Sequence, residues 1–296
     1  MSSVLAELLV PWFDEHARDL PWRRPETTPW GVLVSEFMLQ QTPVKRVEPI
    51  WLDWMRRWPT PSELAAAPQS DVLRAWGKLG YPRRALRLHA AASAIATGHG
   101  DIVPSDVDEL LALPGVGAYT ARAVAAFGYQ RRAPVVDTNV RRVIARAVHG
   151  AGDAGPPRTT ADLADAEALL PSDDLVAARF SAALMELGAV RCTVRNPGCE
   201  GCPVFGECAW QAHGRPEYTG PSRPVQRFAG TDRQVRGRLL DVLRDAPGPV
   251  PRTALDDAWS EPAQRDRCLF SLLTDGLVEH LPDGSFALPG ERVPGH

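Results

Sequence analysis

Lysine is almost missing from this 296-residue chain: Lys45 and Lys78 stand against 31 arginines, a bias that genome composition explains as readily as function. Also missing is any apolar run near the roughly 20 residues that a bilayer-spanning helix needs. No basic stretch followed by a long apolar segment opens the chain, so a cytoplasmic protein without a membrane partner is expected. No strand-period alternation of useful length occurs before Cys192, which points to an all-α region over the first 215 residues or so. Net positive charge is lacking too. The formal charge of -3 argues weakly against a nucleic-acid partner, yet only local charge matters to a phosphate a few ångströms away. Between Tyr119 and Gly150 six arginines (Arg122, Arg131, Arg132, Arg141, Arg142, Arg146) accompany one acid, Asp137. That net +5 fits a basic surface, and a solvated helix face equally well.

With 44% hydrophobic residues, the chain can bury a substantial core in two or three domains. Apolar residues at three and four spacing, punctuated by Pro and Gly, predict helices over residues 4–16, 29–41, 46–57, 71–79, 84–97, 105–111 and 118–127. Residues 214–224, rich in Gly and Pro, read as a linker. The remaining segment shows three helical patterns, near 233–244, 253–259 and 263–274, and two short strands about the turn Pro282-Asp283-Gly284. Three helices and a hairpin suggest a small winged-helix-like α+β domain. From Ser222 to His296 ten arginines against eleven acids leave the tail nearly neutral, so a winged-helix reading does not by itself establish DNA binding.

Cys192, Cys199, Cys202 and Cys208 follow the spacing C-x6-C-x2-C-x5-C within 17 residues. Four soft thiolates so gathered can enclose one metal centre. A disulfide pair is disfavoured in a chain without a secretory leader, and spacing alone leaves a tetrahedral zinc site open. Residues 113–117, LPGVG, lie between two predicted helices just ahead of the basic stretch. The glycines allow a sharp turn whose backbone N–H groups can take a phosphate, although a plain helix connector has the same composition. Asp137 precedes Thr138-Asn139-Val140 and a helical run, a good N-cap position. An ionised carboxylate held there also suits a group facing a cationic sugar in a transition state. Glu36 sits in VLVSEFML, residues 32–39, where six of eight residues are apolar. A solvated polar stripe with Ser35 and Gln40 is one reading. In the other, burial raises its pKa and keeps it protonated, so that a neutral acid and an ionised partner divide the work of breaking a glycosidic bond.

The cysteine spacing resembles the iron-sulfur loop of endonuclease III and its relatives, and the hairpin followed 20 residues on by Asp137 resembles the helix-hairpin-helix GPD superfamily of DNA glycosylases. The segment SEFMLQQT, residues 35–42, with Leu20-Pro-Trp-Arg23, narrows the resemblance to the MutY-type adenine DNA glycosylases, over roughly Leu5 to Trp210. It implies a mainly α, two-lobed enzyme. Residues 22–130 would form a six-helix barrel with the helix-hairpin-helix, residues 1–21 and 131–217 a domain holding one [4Fe-4S] cluster on the four cysteines, and 218–296 the linker and C-terminal domain. It further implies base excision repair of adenine mispaired with 8-oxoguanine or guanine in double-stranded DNA, for which a monomer suffices. Glu36 would protonate adenine N7 and later handle water. Asp137 would stabilise the oxocarbenium ion, Tyr119 would assist beside the sugar, and Asn139 would hold Asp137. Arg23 and Glu186 would line the adenine pocket, and Gln41 and Tyr81 would wedge into the base stack. Leu113, Gly115, Val116, Gly117 and Arg195 would meet the DNA backbone, as would Arg141 from the basic stretch.

Strand-cutting relatives carry a lysine where this chain has Tyr119, and a phenol forms no iminium, so a monofunctional enzyme is expected. Two departures stand out. Tyr81-Pro82 replaces the usual tyrosine pair, and the segment after Ser222 looks too short and too helical for the Nudix-like domain that recognises 8-oxoguanine in many members. A mismatch thymine or oxidised-pyrimidine glycosylase on the same scaffold is one alternative. A redox-sensing DNA-binding regulator is the other, although it leaves Glu36, Asp137 and Tyr119 without a shared purpose.

Overall fold

Short polar side chains fix where several helices begin. Asp106, Asp137, Asp173 and Glu261 each accept backbone N–H bonds from the first turn that follows, and Thr60 with Glu63 forms a reciprocal capping box. A computed structural model describes residues 2–221 and 228–291. Its α-helices are α1 (Ser2–His16), α2 (Pro29–Leu39), α3 (Val44–Arg57), α4 (Pro61–Ala66), α5 (Gln69–Trp76), α6 (Arg83–Gly98), α7 (Val107–Leu111), α8 (Ala118–Tyr129), α9 (Thr138–Ala147), α10 (Thr159–Leu169), α11 (Asp174–Val190), α12 (Ala209–Ala212), α13 (Asp232–Asp245), α14 (Arg252–Asp256) and α15 (Pro262–Thr274). Strands β1 (Glu279–His280) and β2 (Phe286–Ala287) pair antiparallel, with His280 opposite Phe286, and Val250 bridges to Phe286. The chain is thus mainly α. Part of the expected linker, residues 222–227, lies outside the described residues.

Packing divides the chain into two units. One comprises Met1–Glu36, Pro104–Ala112 and Val116–Arg223; the other comprises Phe37–Val103, Leu113–Gly115 and Pro224–His296. In the first, α1, α9 and α11 pack around Leu5, Leu9, Trp12, Val140, Ile144, Phe180 and Leu184. Burying each such side chain contributes about 1.5–3 kcal/mol, so this core fixes where α9 and α11 present their polar residues. In the second, Trp54 stands edge-on to both Trp58 and Trp76, at ring separations of 4.9 and 5.6 Å. α4 packs on α6 beside it, and α13 packs on α15 and on α5. The C-terminal segment therefore belongs to the same packed unit as α3–α6.

Several helix ends differ from the pattern reading, α14 among them, which stops at Asp256 rather than Trp259. The helix expected to reach Gln41 stops at Leu39, because the backbone turns through a left-handed Gln41 at φ 57°. The helix expected to run to Leu79 stops at Trp76 and continues as a 3-10 turn, Gly77–Leu79.

Candidate active site

Helix α2 is apolar almost all round: Val32, Leu33, Val34, Phe37 and Met38 are buried, and Glu36 goes inside with them at 6% exposure. Burial raises its pKa from the ordinary carboxylate range to about 7, with the negative Asp137 adding to the rise; a hydrogen bond from the Tyr119 hydroxyl and the charge of Arg23 oppose it. Near neutral pH Glu36 therefore exchanges a proton readily. Tyr119 comes from the first turn of α8. Burial, with Glu36 and Asp137 close by, pushes its pKa well above the ordinary phenol value, so it stays a neutral donor.

Asp137 caps α9 and does more. Its Oδ1 accepts from the N–H groups of Asn139 (2.8 Å) and Val140 (2.7 Å), and its Oδ2 accepts from Asn139 Nδ2 (2.8 Å). Only a carboxylate can accept all three without a competing proton. Burial pushes this carboxyl above its ordinary range, while these donors and Arg142 favour the charged form. Asn139 Oδ1 in turn accepts from Arg142 Nη2 at 2.8 Å, and Arg142 also donates to the carbonyls of Gly188 and Cys192, both at 2.7 Å. A hydrogen-bonded chain thus runs from Asp137 through Asn139 and Arg142 to the backbone of the cysteine loop. Gly188 is required for it: a Cβ there would meet Asn139 Cβ at 2.7 Å and its carbonyl oxygen at 2.8 Å.

Glu186, on α11, is fully buried. Arg18 donates to it from Nε (2.7 Å), Nη2 (2.8 Å) and its backbone N–H (3.1 Å), and Arg23 donates from Nη1 (2.9 Å). Burial alone would raise its pKa, yet these donors hold it at about 2. Both carboxylate oxygens are thus engaged by arginines, and Glu186 acts on its surroundings through Arg23, whose charge reaches Glu36. Arg18 was not singled out from sequence; it lies 168 residues from its partner, a separation that no local pattern reveals.

The four cysteines, all partly buried, line one cavity with Val143, Leu187, Val204 and Phe205. Among the described residues no three His, Cys, Asp or Glu side chains close on a single ion position. Four soft donors around one cavity have the chemistry of a metal centre. Arg146 braces the loop, donating to the carbonyls of Gly152 (2.9 Å) and Thr193 (2.7 Å) and to Cys192 Sγ (3.5 Å), and lying 4.7 Å over the Trp210 ring.

Residues 34–166 match the HhH-GPD superfamily of base excision DNA repair proteins. Two relatives named adenine DNA glycosylase align along almost their whole length. That of Mycolicibacterium smegmatis is 63% identical over 97% of this chain and 97% of its own, and that of Mycobacterium tuberculosis is 62% identical over 96% and 93%. The chain belongs to this glycosylase family. Among solved structures, a thermostable thymine-DNA glycosylase superposes with a TM-score of 0.64 at 27% identity, covering 72% of this chain and 97% of that one. The two mycobacterial relatives extend through the C-terminal segment, so the family includes members with this short tail.

Arg23, Glu36, Tyr119, Asp137, Asn139 and Glu186 all lie in one packed unit. Gln41 and Tyr81 lie in the other, both exposed and both left-handed, at φ 57° and 47°. Arg84, also missed in the sequence, holds their two turns together. Its Nη1 donates to the carbonyls of Phe37 (2.7 Å), Met38 (3.2 Å) and Gln40 (2.6 Å), and its Nη2 to Gly80 O (3.0 Å) and Thr42 Oγ1 (3.1 Å). In the hairpin segment the side chains of Leu113 and Val116 are buried and Gly115 and Gly117 are exposed. Gly115 adopts φ 76°, and a Cβ there would strike Arg87 at 2.6 Å. Arg195 is exposed in the cysteine loop.

The basic stretch needs correction. Arg141, expected against a phosphate, is 7% exposed. Its Nε donates to Asp162 (2.7 Å), and its Nη2 is turned to the carbonyls of Ala154, Gly155 and Pro156. Arg142 and Arg146 are equally buried, and Arg132 is paired with Glu167. Four of the six arginines thus organise the protein's own loops rather than a charged face.

Proposed function

We propose that this chain is a monofunctional DNA glycosylase of base excision repair, hydrolysing the N-glycosidic bond of adenine mispaired with 8-oxoguanine or guanine. The observation that carries the reading is the pairing of a buried Glu36, poised to hold a proton near neutrality, with an Asp137 carboxylate held by three N–H donors in the same unit. Glu36 donates its proton to N7 of the extruded adenine. As the glycosidic bond breaks, Asp137 faces the oxocarbenium-like sugar, and its fixed donors keep it from reorganising during the step. Glu36, now ionised, takes a proton from the attacking water. Tyr119 keeps its proton and orients Glu36. Arg23, anchored by Glu186, lines the base pocket and steadies the ionised Glu36. Asn139 fixes Asp137 through the second carboxylate oxygen as well as through its own backbone N–H.

The partner is double-stranded DNA. Backbone N–H groups of the hairpin at Leu113, Gly115, Val116 and Gly117 meet phosphates, as does Arg195, and Gln41 and Tyr81 fill the stack vacated by the flipped base, offsetting part of the few kcal/mol that unstacking costs. Cys192, Cys199, Cys202 and Cys208 would hold one [4Fe-4S] cluster, which when bound supplies a cross-link for the Arg195 loop. A monomer in the cytoplasm, at the nucleoid, suffices for this chemistry. Among the described residues no helix is long and apolar enough to cross a membrane.

The structural likeness to a thymine-DNA glycosylase gives a second reading, excision of mispaired thymine. Both are tested by single-turnover excision on duplexes holding adenine opposite 8-oxoguanine, guanine or thymine, and thymine opposite guanine, each quenched with and without hot alkali. Alkali-dependent breakage at adenine opposite 8-oxoguanine or guanine supports the first reading. Breakage at thymine alone replaces it with the second, and breakage without alkali refutes the monofunctional assignment.

A further inference from the structure

Tyr81 is the exposed aromatic of the second unit that carries a left-handed backbone, and two guanidiniums lie over its ring. Arg84 stands 5.5 Å from the ring centroid and Arg233, the second residue of α13, stands 4.5 Å from it. The two arginines differ in kind. Arg84 is buried and committed to the carbonyls of the 37–42 and 80 turns. Arg233 is exposed and makes no hydrogen bond or ion pair among the described residues, so the Tyr81 ring is its partner there. Other contacts seat α13 without it. Arg244 Nε donates to Leu73 O (3.1 Å), Lys78 Nζ faces Asp241 (3.8 Å), and Arg74 donates to Ala246 O (3.0 Å). Arg83 meanwhile pairs with Asp275 (3.2 Å), at the end of α15.

We propose that Arg233 is a positioning residue for Tyr81, and that through it the C-terminal segment forms part of the surface that engages duplex DNA. The proposal rests on the glycosylase reading, in which Tyr81 enters the stack. A ring already held by two cations gives up little rotamer freedom on insertion. The local charge at the ring is that of Arg84 and Arg233, positive although the segment as a whole is nearly neutral, since Lys78 and Arg83 are each paired with an acid, Asp241 and Asp275.

The test uses the full-length, cluster-loaded protein with Arg233→Met and Arg233→Lys. Single-turnover excision is measured on adenine opposite 8-oxoguanine and on adenine opposite an abasic-site analogue, where extrusion costs less. Arg233→Met is expected to slow the first about two- to five-fold, the equivalent of about 0.5–1 kcal/mol for an exposed cation–π contact. It is expected to leave the second and the melting temperature unchanged, and Arg233→Lys restores most of the rate. Equal slowing on both substrates assigns Arg233 to general binding or docking and overturns the proposal, as does no slowing on either. Failure of the unmodified protein to release adenine from both substrates refutes the glycosylase reading itself.

Discussion

Replacing Tyr119 by Phe isolates one hydrogen bond in the site. In the structure the Tyr119 hydroxyl donates to Glu36 and opposes the rise that burial imposes on the Glu36 pKa, which stands at about 7. A hydrogen bond to a charged group is worth roughly 1.5–3 kcal/mol, and one pKa unit corresponds to about 1.36 kcal/mol. Losing it therefore raises the Glu36 pKa by about one unit or more. The sign follows from the role. Glu36 works as a protonated acid, so activity is full below its pKa and falls as pH rises through it. The falling limb of the single-turnover rate against pH is expected near 7 in the unmodified protein and near 8 or above in Tyr119→Phe, whatever happens to the plateau rate. Excision of adenine from a duplex, followed from pH 5.5 to 9.5 at saturating enzyme, gives both limbs. A limb that stays in place or moves to lower pH refutes the assignment of Glu36 as the acid and Tyr119 as its donor.

Glu36→Gln removes a buried carboxyl whose pKa rises from 4.5 to about 7 on folding. Such a group costs stability increasingly from about pH 4.5 to 7, so the variant is expected to be more stable than the parent by about 3 kcal/mol at pH 8 and equally stable near pH 4 in urea titrations. A stability gap independent of pH contradicts the buried, raised Glu36. Asn139→Ala withdraws the Nδ2 donor from Asp137 and the acceptor from Arg142; excision is expected to slow at least ten-fold with duplex affinity retained, as read by single-turnover rates and fluorescence anisotropy. Arg141→Ala leaves the largely buried Asp162 with only the Arg158 N–H as donor, so a stability loss of about 3 kcal/mol, the low end for a broken buried pair, is expected in denaturant unfolding. The salt dependence of DNA affinity is expected to stay unchanged, whereas a slope shallower by about one unit would return Arg141 to a phosphate.

The fold class and the main chemical groups were legible because their signals are local. Periodicity reveals α1, α3 and α6, thiol spacing reveals the cysteine loop, and an acid ahead of Thr138-Asn139-Val140 reveals the cap that Asp137 forms. The apolar frame around Glu36 foretells its burial. Illegible from sequence was whatever depended on long guanidinium side chains reaching distant backbone. Arg141, Arg142 and Arg146 read as surface charge, but the carbonyls of residues 152–156, 188 and 192–194 draw them inside. Arg84 likewise ends α2 early by collecting the carbonyls of Phe37, Met38 and Gln40. Glu186, expected to line the pocket, spends its charge on Arg18 and Arg23, partners more than 160 residues away. In each case a buried charge settled the local structure, and its partner lay beyond any sequence window.

The most direct test of the central claim is single-turnover release of adenine from a duplex with 8-oxoguanine opposite, by the unmodified protein, Glu36→Gln and Asp137→Asn, with DNA affinity measured alongside. An alkali-labile abasic site is expected from the unmodified protein, and at least the 10²-fold slowing typical of a lost general acid in Glu36→Gln. Comparable slowing is predicted for Asp137→Asn, with both variants still binding the duplex. Release at the parent rate by either variant would contradict the division of labour between a protonated Glu36 and an ionised Asp137.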